Sequence, residues 1–144
     1  MSERPTRAER AILESRLRVM HEHEGRAPIE EIASFIHPEC RMRLLVSFGS
    51  LLRGREAVLE ALDEGREAAI YRAQLERFEW LDEATVLSFG RARYALEQGG
   101  FAEGRVVWLD CFRDGLIWSI QAFKREADAR RAYAGMQRKK DDEV

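Results

Sequence analysis

Asp110 is the residue of this chain whose setting could do chemistry. It lies in Gly104–Phe123, GRVVWLDCFRDGLIWSIQAF. There Val106, Trp108, Asp110 and Phe112 alternate with Val107, Leu109, Cys111 and Arg113, the two-residue period of a strand. The carboxyl group therefore shares a face with Trp108 and Phe112, where an apolar residue is the default. An acid walled by Trp108, Phe112, Trp118 and Ile120, with Met42 and Leu44 on a neighbouring strand, could carry a proton in an apolar pocket. The competing reading is structural. Arg91, Arg93 and Arg113 stand on strands that would flank it, and a cross-strand Asp–Arg bridge explains the same residue without chemistry. Glu76 and Glu79, one strand further on, are possible partners for those arginines or a second acid.

Other reactive residue types give less. His21 and His23 lie two positions apart on a helical stretch, so they point about 200° apart and cannot converge on one metal ion; they read as solvated. His37, before Pro38, reads as a surface or cap residue. Cys40 and Cys111 lack metal spacing and read as buried small apolar residues rather than a disulfide. The glycines offer no strand–turn–helix phosphate cradle, and neither a Gly-x-Ser-x-Gly elbow nor a His-Glu-x-x-His site occurs. No metal and no cofactor is expected.

The elements that must position Asp110 follow from periodicity. Thr6 to Glu24 carries Leu13, Leu17 and Met20 at helical spacing and stops at Gly25. Pro28 opens a short second helix ending at His37-Pro38. Arg41 to Phe48 reads as a strand, Gly49 to Gly54 as a loop, and Arg55 to Ala69 as a third helix. Long strands follow at Tyr71–Leu81 and Thr85–Leu96, then a hairpin around Asp114-Gly115, a dipeptide suited to a tight turn. Glu126 to Met136 is a last helix. Residues 6–136 make one domain, and the charged residues 137–144 form a disordered tail. The order α-α-β-α-β-β-β-β plus a C-terminal helix is an α+β layout, with a curved, mostly antiparallel sheet wrapped over the N-terminal helices.

Composition narrows the class. The chain has 144 residues, 45% hydrophobic and 35% charged, with a formal net charge of −2. That balance supplies no basic field for nucleic acid. No apolar run is long enough to cross a bilayer, and Met1 to Arg10 has no signal-peptide core, so a cytoplasmic location and no membrane partner are expected.

Several segments resemble the nuclear-transport-factor-two-like superfamily, especially its SnoaL-like branch. Ile29–Cys40 (IEEIASFIHPEC) resembles the second helix and its exit. Arg53-Gly54-Arg55-Glu56-Ala57-Val58 resembles the start of the third helix. Phe112–Ile117 (FRDGLI) resembles the turn of the final hairpin, and Glu126–Tyr133 the helix after it. The resemblance implies a cystatin-like cone and a homodimer through the outer sheet face. It also implies three chemistries to compare. For the ketosteroid isomerases of the fold, Asp110 matches the oxyanion aspartate, but Leu44 stands where the base belongs and no tyrosine lies near Leu17 or Arg18. For the epoxide hydrolases, the required Arg-x-Asp pair has Arg91-Ala92-Arg93 as its nearest analogue. SnoaL-like polyketide cyclases need one acid in an apolar pocket, which Asp110 could be. The expectation is a cofactor-independent pocket for an apolar or cyclic small molecule, with isomerase or cyclase chemistry at Asp110. The alternatives are a non-catalytic ligand-binding or dimerisation module with Asp110 salt-bridged, and an epoxide hydrolase-like enzyme.

Overall fold

The computed structural model describes residues 5–22, 28–43, 51–67, 71–96 and 98–142; His23 and Leu44 lie outside them. The chain order is α1 (Arg7–His21), α2 (Ile29–Ala33), β1 (Ile36–Arg43), β2 (Leu51–Arg53), α3 (Arg55–Glu67), β3 (Tyr71–Trp80), β4 (Thr85–Ala95), β5 (Phe101–Arg113), β6 (Leu116–Phe123) and α4 (Glu126–Asp142). Thr6 caps α1 by accepting the Glu9 N–H at 3.1 Å, satisfying one of the helix's unpaired first-turn donors.

The six strands form one sheet in the order β2-β1-β6-β5-β4-β3. Only the β1–β6 pairing is parallel. This is an α+β fold with a curved sheet. Strand alternation divides its side chains between two cores. The inner face (Ala73, Leu75, Val86, Val106, Trp108, Phe112, Ile120) packs on Leu17 and Met20 of α1, Ile32 of α2 and Val58 of α3. The outer face presents Leu87, Phe89, Val107 and Leu109 to Ala129 and Tyr133 of α4.

The β5–β6 hairpin forms as its sequence demands. Arg113 pairs with Leu116 across a two-residue turn in which Asp114 (φ 55°) and Gly115 (φ 76°) are both left-handed. That is the primed geometry matching strand twist.

Three expectations change. His37-Pro38 does not end a helix: α2 stops at Ala33 and the dipeptide lies inside β1. Pairing of β1 with β6 shifts register between Ile36 and Arg41, so the proline, which has no N–H, falls where the ladder is interrupted. Residues 51–53, expected in a loop, pair with β1 as an edge strand. Residues 44–48 of the expected first strand lie outside the described residues. Finally, α4 runs to Asp142 rather than yielding to a disordered tail at residue 137. Gln137 to Lys140 are good helix formers, and the basic residues suit a helix C-terminus.

At Gly90 the backbone of β3 comes close to that of β4. Gly90 pairs with Leu75 beside the β3 bulge, and a Cβ there would overlap the Gln74 carbonyl oxygen. Backbone cannot swing aside as a side chain can. Gly90→Ala is therefore expected to destabilise the protein by about 3 kcal/mol, the upper end of overpacking costs, read from urea denaturation.

Candidate functional site

Asp110 faces inward from the middle of β5, as the alternation predicts. It pairs with Val86 of β4 on one side and Ile120 of β6 on the other. Its side chain is 0% exposed. A buried carboxylate needs hydrogen-bond donors, and two converge on one of its oxygens. His21 Nε2 lies 3.0 Å from Oδ2, and Ser88 Oγ donates to the same atom at 2.7 Å. A carboxylate only accepts, so against it Nε2 carries its hydrogen toward Asp110. The second oxygen, Oδ1, is buried with no partner.

Each donor is positioned by its element. His21 is the last residue of α1 and follows Leu17 by four, so it falls on the buried stripe. Its ring packs on Trp108 with centroids 4.7 Å apart, tilted 39°. The helix end is fastened to β3 where that strand bulges between Leu75 and Arg77. Glu22 accepts the Leu75 N–H, and Arg18 donates to the Leu75 carbonyl at 3.0 Å and to Glu22 at 3.1 Å. Ser88 shares the inner face of β4 with Val86 and is the Cα partner of Trp108, diagonal to Asp110.

The other candidates divide. Trp108, Phe112, Ile120 and Met42 belong to the buried core that surrounds Asp110. Trp80 stacks on Phe112 at 6.0 Å and donates its indole N–H to Glu14 of α1. Trp118 does not join them. A bulge on β6 opposite Cys111–Phe112 makes Ser119 face Cys111 and Ile117 face Phe112, leaving Trp118 as the extra residue. It lies half-buried beside the guanidinium groups of Arg41 and Arg113. Arg91 and Arg93 share the outer face of β4 with Leu87 and Phe89, and Arg93 stacks on Phe101. Neither can reach an inward carboxylate, so the expected Asp–Arg bridge is replaced by His21 and Ser88. The Arg-x-Asp analogue at residues 91–93 is likewise on the wrong face. Glu76 is the unpaired, exposed residue of the β3 bulge, and Glu79 pairs with Arg130 of α4 at 2.7 Å.

His21 was legible in principle. It is buried rather than solvated, and its spacing from Leu17 already places it inward. Ser88 had a weaker signal, its parity with Val86. Among the described residues no group of three or more His, Cys, Asp or Glu could hold a metal ion, and no helix is long and apolar enough to cross a membrane.

No protein-family model and no curated protein sequence matches the chain. Solved structures do. An NTF2-like protein of unknown function from Mesorhizobium loti is 20% identical with a TM-score of 0.62, covering 87% of this chain and 96% of its own. A SnoaL-like polyketide cyclase from Jannaschia is 14% identical with a TM-score of 0.61, covering 85% and 90%. The epoxide hydrolase/cyclase-like enzyme SalBIII, of pyran ring formation in the polyether salinomycin, is 12% identical with a TM-score of 0.64, covering 83% and 95%. These likenesses concern the fold.

Two expectations follow from the burial of this site. His21→Leu leaves the Asp110 carboxyl with Ser88 alone and should cost about 3 kcal/mol. Adding Asp110→Ala should cost less than the sum of the single changes, because the orphaned partner is gone; urea denaturation of the double-mutant cycle measures the coupling. The second concerns alkaline pH. Burial pushes Cys40 and Cys111 up to about 12 from 9.0, with the Asp110 charge adding to both and a Thr85 hydrogen bond partly offsetting the rise at Cys111. Burial, then the hydrogen bond to Asp82, likewise raises Tyr133 to about 12. The unfolded chain loses these protons first as pH rises. Stability should therefore fall between pH 9 and 12, and a Cys40→Ala, Cys111→Ala variant should show a shallower fall.

Proposed function

Given its nuclear-transport-factor-two-like, SnoaL-like fold, we propose that this protein is a cofactor-independent isomerase or cyclase acting on an apolar, cyclic small molecule, with Asp110 as its proton carrier. One observation carries the reading: a fully buried carboxyl group has one oxygen held by two donors and the other left without any. Leaving a buried acceptor unpaired costs about 1–3 kcal/mol, and a catalytic role is one explanation such a group calls for.

The division of labour follows from the two oxygens. His21 and Ser88 fix Oδ2 and stabilise negative charge on the carboxylate. Oδ1 takes a proton from an acidic C–H or O–H of the substrate and returns it at another atom. Trp108 and Phe112 supply apolar surface for a ring and shut out water. No tyrosine lies beside Asp110 on α1 and Leu44 is not an acid, so the reading needs one acid only, in line with the SnoaL-like polyketide cyclase whose fold is shared. A homodimer remains part of the proposal through the resemblance.

The second reading is favoured by the depth of burial. With side chains of Asp110 and His21 only 0% and 5% exposed, the trio would also serve as a polar lock between α1 and the sheet, in a binding module without catalysis. A ligand panel of polyketide, terpene and steroid ketones separates the two. Catalysis predicts that an enolisable cyclic ketone raises Tm, through a stabilisation of about 2.7 kcal/mol at a hundredfold excess over Kd, and exchanges its α-hydrogens for deuterium. Asp110→Asn, which keeps the shape, should abolish the exchange. Undiminished exchange in folded Asp110→Asn, or no ligand response at all, would sink the proposal.

A further inference from the structure

On the outer face of the sheet, across the layer from Asp110, Arg53, Arg41 and Ser119 form one transverse row. Arg53 is the Cα partner of Arg41 across β2–β1, and Arg41 that of Ser119 across β1–β6. Two polar atoms in this row are buried without a hydrogen-bond partner: Nε of Arg41 and Oγ of Ser119. Ser119 is 0% exposed. Neighbouring strands lie about 5 Å apart, so the two residues stand side by side in the row.

Among the described residues, one long ion pair is what offsets the charges around them. The Arg41 guanidinium carbon lies 4.5 Å from the Trp118 ring centroid and that of Arg113 3.9 Å, so two like charges share one ring. Glu39 reaches Arg113 only at 4.0 Å, and Arg41 is in none of the ion pairs among the described residues. Stacking uses the face of a guanidinium and leaves its edge. The edge holding Nε–H and an Nη–H is the fork that fits two oxygens of a carboxylate or phosphate. A serine hydroxyl beside it can donate to a third oxygen.

We propose that Arg41, Ser119 and Arg113 form a phosphate-binding site on the outer face of β1 and β6. A phosphate has oxygens enough to accept from the Arg41 fork and the Ser119 hydroxyl together, and charge enough to offset both guanidinium groups. The phosphate is inorganic or part of a small organic phosphate. Arg53, next in the row, lines an open pocket of about 570 Å³ with Pro38, Gly54 and Glu56, which gives the body of an organic phosphate a place to lie. The site is separate from the inner-face carboxyl and does not depend on it.

The test uses the full ¹⁵N-labelled chain and follows the Arg41 Nε–H resonance during titration with inorganic phosphate, to about 20 mM against chloride at matched ionic strength. A saturable shift is expected in phosphate alone. Ser119→Ala, followed by the same resonance, and Arg41→Lys, followed by the Ser119 backbone N–H, should each weaken binding about tenfold or more. A sugar phosphate that binds more tightly than inorganic phosphate identifies an organic ligand extending toward Arg53, whereas equal affinities identify the inorganic ion. No saturable shift, or unchanged affinity in both variants, overturns the site.

Discussion

A carboxyl group with no exposed surface has to be held by more than its own strand, and that requirement organises this molecule. Asp110 on β5 is joined to His21 of α1, 89 residues away in sequence, and to Ser88 of β4. The first bond fixes how far and at what rotation α1 crosses the sheet; the second fixes β4 against β5 in the same layer. Apolar packing alone would tolerate neighbouring registers of α1, since Leu17 and Met20 slide over an apolar face with little penalty. A buried polar pair does not, because any slip strands an unpaired group. The Arg18–Glu22 contacts on Leu75 and the Glu14 contact on Trp80 then fasten the same helix on either side of that bond.

Irregularities in the sheet decide which side chains reach this centre. Three register shifts interrupt the ladders, at Ile36–Arg41, Leu75–Arg77 and Cys111–Phe112. Each inserts residues that flip the alternation. The second leaves Glu76 unpaired while Phe78 and Trp80 stay inward with Leu75. Its freed backbone groups at Leu75 are those that Glu22 and Arg18 take up. The third turns Trp118 away from the inner core while Ile117 and Ile120 remain there. Bulges thus explain both a missing acid and a missing aromatic.

Much of the fold was legible because it depends on local pattern: the stripe of α1, the alternation of β5 and the Asp114-Gly115 turn all hold. The face of Asp110 was legible for the same reason. Its partners were not, since nothing local links position 110 to position 21 or 88. The arginine bridge failed on geometry that periodicity cannot supply, namely that Arg91 and Arg93 lie on the other side of the sheet. Trp118 failed because a one-residue bulge has no signature in an alternating run. Charge past Met136 is no sign of disorder here: α4 continues through it, and Gln137 donates to Asp82.

The sorting of charge between the faces has a chemical consequence. Among the described residues, arginines gather on the outer face, at positions 41, 43, 53, 91 and 93, and none of them bonds to Asp110. An arginine partner would hold the acid permanently as a carboxylate, because a guanidinium does not give up its proton. His21 instead offers Oδ2 a ring nitrogen 3.0 Å away. The pairing with His21, together with an Oδ1 that has no partner among the described residues, is what the proposed proton-carrier role rests on.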